Sequence, residues 1–382
     1  MINIKKTELL RLNQNKIKDK NILMRVDFNI PIKNGHIYEL YRIKSIKETL
    51  NFLKPTKKIV LISHWGDPIS KEKNYSLKRI LPILEKILKT KIGFLENLDS
   101  KIKEKINLLE NIRFFKGEKE CDLNFAKKLS TLGEVFVFEA FSVAHRKHSS
   151  VYLLPKILKT YYGFNFEKEI KLLNEVLKNC KKPKINKNRS LALILGGAKI
   201  STKFPLIKKF LKYASLIILG GGLANTLLKA KGFEIGKSLF EKEFLKDVKK
   251  IKSHKILAPF DFYVINKNKI YYRLLGEIKK EDKILDIGEK SLNIFLEEIK
   301  KVKFIVFNGP LGFVEDKKFE LGTLKLVKFL SKFKNKFILV GGGDTLNFLE
   351  KKKLLNKFKI STGGGAMLYY LANETFPIFS KK

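Results

Sequence analysis

Short runs of apolar, β-branched and aromatic residues recur along the chain, each closed by glycine or a polar side chain. The runs are Ile22–Arg25, Ile59–Ile62, Val135–Phe138, Leu191–Leu195, Leu216–Leu219, Lys255–Leu257, Phe304–Phe307 and Phe337–Val340. Runs this short and nearly continuously apolar predict strands buried on both faces, the pattern of parallel sheets flanked by helices. Between them, Leu77–Leu88 and Ser291–Lys301 carry apolar residues three or four apart, as amphipathic helices do. The expected class is α/β with doubly wound parallel sheets.

A chain of 382 residues is long for one core and sufficient for two domains. The residues that close the strands differ between the halves. The first half places Asp27, Asn29, Ser63, His64 and Glu139 there, and the second places Gly196-Gly197, Gly220–Gly222, Asn308-Gly309 and Gly341–Asp344. Parallel α/β sheets bind ligands at the carboxyl ends of their strands, so the contrast predicts an acceptor lobe followed by a nucleotide lobe. Glu167 to Asn179 reads as a helix with Ile170, Leu173, Val176 and Leu177 on one face, followed by the polar stretch Lys181–Arg189 with Pro183. The predicted division is an acceptor domain over 1–165, a connecting helix and linker over 166–189, and a nucleotide domain over 190–365. A final segment, 366–382, completes the chain.

The net charge of +41 raises the question of a polyanion partner. The basic residues are spread along the whole chain as Lys-Lys pairs, from Lys5-Lys6 through Lys208-Lys209 to Lys381-Lys382. With 71 lysines and 8 arginines, the pattern reads as a coding bias expressed on solvated faces, leaving a basic nucleic-acid binder as the second reading. Where a surface charge suffices, this chain uses lysine. Arg42, Arg113 and Arg146 therefore mark places where a planar bidentate guanidinium is useful, as in gripping carboxylate or phosphate. The apolar runs are strand-sized and far short of a membrane span. The opening residues Met1–Lys6 lead into polar sequence without the apolar core of a secretory leader. Cys121 and Cys180 give neither a disulfide framework nor a zinc pattern, so a reducing cytoplasm is expected.

Three glycine clusters stand out: Gly220–Gly222, Gly341–Gly343 with Asp344, and Gly363–Gly365. Each is a tight turn or an anion cradle, in which backbone N–H groups approach phosphate oxygens at the start of a helix. None has the P-loop pattern or Gly-x-Gly-x-x-Gly. Asp344 adds a hard oxygen ligand suited to Mg²⁺ carried by nucleotide phosphates. Gly196-Gly197 is followed by Lys199 and Lys203, four residues apart and on one face if a helix follows. In the first half, Asp27 and Asn29 alternate to the same side, fit to hold hydroxyl groups or simply to cap a turn. His64 is either a ligand-binding or a structural histidine. Ala144–His148 concentrates cationic donors but lacks a zinc ligand set.

Taken together, the motifs RVDFNIP, YRIKS, SHWGDP, LLENIRF, FEAFSVAHRKHSS, LGGAKISTK, LGGGLANTLL, APFD, FNGPLGFVE, GGGDT and STGGGA closely resemble phosphoglycerate kinase, in that family's order from about Arg25 to Ala366. The resemblance implies two Rossmann-like domains joined by a helix, with a cleft between them. It implies direct in-line transfer between 1,3-bisphosphoglycerate and ADP, giving 3-phosphoglycerate and ATP, by a cytoplasmic monomer with no specific nucleic-acid or membrane partner. Asp27, Asn29, Arg42, His64, Arg113 and Arg146 would hold the three-carbon acid. Arg42, Lys199 and the amides near Gly343 and Gly364 would face the transferred group. Lys199, Lys203, Gly221, Gly342, Gly343, Asp344 and Thr345 would serve the nucleotide phosphates, with Asp344 holding Mg²⁺. Asn308, Pro310 and Glu315 would lie near the adenosine, Glu315 at the ribose. The segment after Ala366 would pack back onto the first lobe.

Four positions depart from the family's pattern: Asp67 stands where arginine is common, Glu139 for aspartate, Phe307 for tryptophan, and Trp65 for a smaller apolar residue. A carboxylate near a phosphate removes an attraction and adds repulsion. The expectation is that Asp67 turns outward, or that Lys71 or Lys73 supplies the compensating charge.

Overall fold

The computed structural model describes residues 14–30, 32–33, 36–37, 40–181, 191–251 and 253–380. Two compact units emerge: residues 1–174 together with 373–382, and residues 175–372.

The first unit contains β1 (Asn21–Arg25), the short antiparallel pair β2 (Ile32–Lys33) and β3 (His36–Ile37), then β4 (Lys58–Ile62), β5 (Gly93–Leu95), β6 (Ile106–Leu109), β7 (Val135–Phe138) and β8 (Lys159–Tyr162). Six of these form one sheet in the order β5-β6-β4-β1-β7-β8. All its pairings are parallel, with Arg25 opposite Ile62 and Phe138 at its carboxyl edge. The central strands are buried along almost their whole length. On one face, Ile22, Met24, Ile59, Leu61 and Val137 join a core completed by Ile43, Leu77, Ile80 and Leu84 from covering helices.

The second unit contains β9 (Leu191–Leu195), β10 (Leu216–Leu219), β11 (Ile256–Leu257), β12 (Asp261–Asn266), β13 (Lys269–Leu274), β14 (Lys283–Ile287), β15 (Phe304–Asn308), β16 (Phe337–Gly341) and β17 (Lys359–Ser361). Its main sheet is again parallel and six-stranded, in the order β11-β10-β9-β15-β16-β17. Every run read from the sequence as a strand holds one, with Lys255 alone falling outside its strand, β11. The antiparallel sheet β13-β12-β14 was not foreseen. In β13 Lys269 and Arg273 interrupt the apolar run that marks a fully buried strand, and Ile270 and Tyr272 are exposed.

The connecting helix spans Phe164–Lys181, longer at its start than Glu167. The Glu139 carboxylate extends it by accepting the N–H groups of Asn165 and Phe166, donors a helix start otherwise leaves unmet. The division between units falls inside this helix, at Asn174 and Glu175. Residues 182–190, most of the linker read from the sequence, lie outside the described residues. The helix Gly364–Asn373 belongs to the second unit except for its last residue, so the segment grouped with the first begins at Asn373 rather than 366. There Phe376 meets the Phe141 ring at 5.6 Å, and Phe379 meets Tyr162 at 5.0 Å.

Candidate active site

In the first unit the polar residues gather where the strands end. β1 leads into Asp27 and Asn29, β4 into Ser63–Asp67, β6 into Asn111–Arg113, and β7 into the loop carrying Ser142 and Arg146. Asn111 joins two of these loops. Its Oδ1 accepts the Arg113 N–H at 3.1 Å and the Trp65 N–H at 3.3 Å, and its Nδ2 donates to Trp65 O at 2.8 Å. Asn29 joins another pair by accepting the Gly66 N–H through Oδ1 at 2.8 Å.

Asp27 accepts hydrogen bonds from Arg42 Nη1 and Ser142 Oγ on one oxygen, while the other lies 3.9 Å from His64 Nδ1. Burial raises the Asp27 pKa, but the Arg42 guanidinium and the Ser142 hydroxyl outweigh it and leave the pKa far below the usual carboxylate range. His64 is 2 % exposed, and its Nδ1 sits 3.3 Å from Arg25 Nη2. Burial and the nearby arginines drive its pKa well down. The ring is neutral, and accepting from Arg25 at Nδ1 places its proton on Nε2, available to a ligand oxygen.

Arg113 gives one edge to the protein, donating from Nη1 to the Gly66 carbonyl. Its Nε and Nη2, and Nε of Arg146, are buried without a protein hydrogen-bond partner. Burial, then the charge of Arg146, brings the Arg113 pKa down to about 10. Unpaired buried donors on cations are costly unless an anion satisfies them. His145 and His148, also in this loop, have pKa values lowered to about 4, first by burial and then by Arg146.

The structure thus brings Asp27, Asn29, Arg42, His64, Arg113 and Arg146 into one cluster. It adds groups that the sequence reading passed over. Arg25 is almost fully buried and donates from Nε to Ser150 Oγ at 3.0 Å. The buried Glu118 accepts from Ser150 through both oxygens, at 2.6 and 2.9 Å. Arg25 was legible by the same scarcity argument that singled out the other arginines; Glu118 carried no signal. Asp67 is 68 % exposed, and Lys119 Nζ binds its Oδ1 at 2.8 Å. Among the described residues it is Lys119 and Arg113, rather than Lys71 or Lys73, that pair with Asp67.

In the second unit the strand-end loops interlock through glycine. Gly196 N donates to Asn308 O at 3.0 Å and Gly197 N to Pro310 O at 2.8 Å, tying the end of β9 to that of β15. A Cβ at Gly196 would lie 1.9 Å from Pro310 O, so no other residue fits. The three glycine clusters each start a helix directly after a strand: Gly221–Ala230, Gly343–Lys351 and Gly364–Asn373. Gly342 (φ 98°) and Gly364 approach so closely that a Cβ on the latter would be 2.5 Å from Gly342 Cα. Asn308 lies against both, and its buried Nδ2 has no protein partner. Thr345 fixes this corner, its Oγ1 accepting from Gly309 N at 2.9 Å.

A cavity of about 430 Å³ opens beside these loops. Gly197, Gly221, Pro310, Glu315 and Asp344 line it, joined by Leu285, Asp286 and Phe313, which the sequence reading missed. Lys203 is only 7 % exposed; burial lowers its pKa against the pull of Asp344 and Glu241. Lys199 is exposed in the turn before Phe204, where the helix begins. The two lysines therefore do not share a helix face, because the intervening residues form a turn rather than a helix. Asp344 lies in the first turn of its helix beside the cavity. No group of three or more His, Cys, Asp or Glu positioned for a metal occurs among the described residues. The Asp344 carboxylate beside glycine amides fits a Mg²⁺ that arrives on a nucleotide, since Mg²⁺ commonly takes one or two protein carboxylates and fills its shell with phosphate oxygens and water.

Comparisons with known proteins point to a single family. The phosphoglycerate kinase family model matches residues 12–374. A phosphoglycerate kinase of Wigglesworthia glossinidia brevipalpis is 38% identical over 389 residues, covering 98% of this chain and 96% of that protein. One from Aquifex aeolicus is 36% identical over 384 residues, covering 94% and 95%. The solved structure of phosphoglycerate kinase from Coxiella burnetii aligns with a TM-score of 0.77 at 30% identity, covering 99% of this chain and 97% of its own. That from Pyrococcus horikoshii gives 0.81 at 28% identity, with the same coverage. With two parallel sheets, an arginine cluster at one carboxyl edge and glycine-led helices at the other, the chain belongs to the phosphoglycerate kinase family.

Proposed function

We propose that this chain carries the phosphoryl group between 1,3-bisphosphoglycerate and ADP, forming 3-phosphoglycerate and ATP. The observation that carries the site assignment is the set of buried, unpartnered guanidinium nitrogens on Arg113 and Arg146. They supply an anionic acid with donors that nothing in the protein satisfies. The first unit, through residue 165, is the acceptor domain in this reading. Residues 190–365 form the nucleotide domain, with the helix and linker over 166–189 between them.

Phosphoryl transfer asks the protein for positioning and charge stabilisation rather than covalent chemistry. Asp27 orients Arg42 toward the transferred group, and Asn29 keeps the loop carrying Gly66 in place. Neutral His64 donates from Nε2 to the acid, while Arg113 and Arg146 bind its charge. In the second unit, the helix starts at Gly343 and Gly364 offer amide N–H groups to developing negative charge. Lys199 and Lys203 neutralise phosphate oxygens. Gly221, Gly342 and Thr345 shape the phosphate channel, and Asn308, Pro310 and Glu315 border the nucleoside. Asp344 would hold Mg²⁺, which adds positive charge to the nucleotide phosphates. In-line transfer requires the two ligands to meet with water excluded, so productive turnover includes a closed state.

The decisive experiment is a coupled assay with 3-phosphoglycerate and MgATP. Turnover is expected, and Arg42→Ala lowers it at least about a hundredfold while ATP binding persists. Retained turnover in that variant rejects the role of Arg42. A nucleic-acid role would instead show tight, steeply salt-dependent RNA or DNA binding; no observation favours it. No described helix is long and apolar enough to cross a membrane. A monomer acting in the cytoplasm is part of the proposal, and sedimentation at assay concentration tests the first point.

A further inference from the structure

Asp67 puts a carboxylate beside the arginine cluster where the family commonly has an arginine. Left alone, it would repel an anionic acid. Instead its Oδ1 gathers two cations, Lys119 Nζ at 2.8 Å and Arg113 Nη1 at 3.4 Å. The hydrogen bond from Lys119 lowers the Asp67 pKa, so the carboxylate is charged and holds them.

This arrangement fixes one side of the Arg113 guanidinium and leaves the other for a ligand. Nη1 is engaged by Gly66 O and Asp67. Nε and Nη2, the pair that makes the side-on fork of a guanidinium, are buried and unpartnered. Lys119 also has capacity to spare. An ammonium carries three donors, and Asp67 takes one. Its side chain is 45% exposed, and its charge helps depress the pKa of His148 alongside Arg146, Arg113 and Arg25.

We propose that Lys119 is an anion-binding residue of the acceptor site, recruited by Asp67, which acts as the positioning residue for both Lys119 and the Arg113 fork. The group they take is a phosphate, whose oxygens match a bidentate fork together with a separate ammonium. The inference rests on the reading that the first unit holds a phosphorylated three-carbon acid. The positive charge that an arginine would bring to this loop is thus delivered from a different segment of the chain.

The test combines steady-state kinetics with direct titration of the nucleotide-free protein by 3-phosphoglycerate, glycerate and inorganic phosphate. Lys119→Ala is expected to raise KM for 3-phosphoglycerate about tenfold with KM for ATP unaltered, and Lys119→Arg to restore most of the loss. Asp67→Asn raises the same KM several-fold alone, and by a smaller factor in the Lys119→Ala background, where only its hold on Arg113 is left to lose. Phosphate and 3-phosphoglycerate titrations weaken in Lys119→Ala, whereas glycerate binding does not. Unchanged phosphate and 3-phosphoglycerate affinity in Lys119→Ala overturns the proposal. So does a lower KM in Asp67→Asn, which would mark the carboxylate as merely repulsive. Absent turnover by the unmodified chain rejects the functional reading instead, and the phosphate titration then still decides the role of Lys119.

Discussion

The Glu139 carboxylate, just beyond the end of β7, accepts the N–H of Phe166 at 3.1 Å in the first turn of the helix that runs from one unit into the other. Asn165 N and Thr49 Oγ1 donate to the same group, and Gly163 leaves it room, since a Cβ there would lie 2.3 Å from Glu139 Oε2. Burial still dominates these bonds and raises the Glu139 pKa to about 7.

The sign of the linked stability follows from that shift. A carboxyl whose folded pKa lies above its unfolded value binds more protons in the folded state, so its contribution is greatest below pH about 4.5 and declines as pH rises through about 7. The whole effect is on the order of 3 kcal/mol. Urea denaturation between pH 5 and pH 8 should show this loss in the first unit, and Glu139→Gln should flatten the slope. A slope unchanged by the substitution would contradict the assignment.

Removing Asp27 exposes a different cost. Asp27→Ala breaks the ion pair between Asp27 and the largely buried Arg42, and losing one side of a buried pair costs up to about 3–5 kcal/mol. Asp27→Asn keeps the shape and an acceptor for Ser142 but not the charge, so its loss should be smaller. Thermal melts of the two variants against the parent check the order.

Neutral imidazoles make a spectroscopic prediction. His64 titrates well below its ordinary value, and His145 and His148 near pH 4. NMR of the ring protons should find all three uncharged from pH 6 to 8. The pH profile of 3-phosphoglycerate affinity should then lack a histidine limb in that range. A limb near pH 6.5 that disappears in His64→Gln would overturn the neutral assignment.

Gly364→Ala should disturb the second unit locally. The new methyl meets the Gly342 backbone rather than a yielding side chain, at a cost of about 1–3 kcal/mol. ATP affinity is expected to fall at least about tenfold, while 3-phosphoglycerate binding stays near its parent value. Calorimetric titration of each ligand separates the two effects.

A charge of +41 repels itself in any compact state. The melting temperature should climb markedly between low and moderate NaCl, then level off as screening saturates. No rise would mean that local pairing already neutralises the surface.

Parallel strands were the most readable part of the molecule, because burial on both faces leaves an uninterrupted apolar run such as Leu191–Leu195. The mixed pattern of β13 hid the antiparallel sheet. Within the candidate site, arginine scarcity and the glycine clusters marked positions whose geometry admits few substitutes, as Gly196 shows against Pro310. Partnerships between distant segments were not readable. Asp67 and Lys119 are separated by 52 positions, and in a chain with 71 lysines no spacing singles out the one that pairs. Lys199 and Lys203 failed as a helical pair because the chain turns before Phe204, near Pro205, where a first helical turn tolerates proline.

The aromatic cluster that joins Phe376 and Phe379 to Phe141, Tyr162 and Phe166 has a consequence for biosynthesis. All of residues 175–372 emerge from the ribosome before those two phenylalanines do. The first unit is therefore translated early yet completed late, its Phe166 flank waiting for rings made more than two hundred residues downstream. A nascent chain stalled before Phe376 should expose that apolar flank to chaperones even after its parallel sheet has formed.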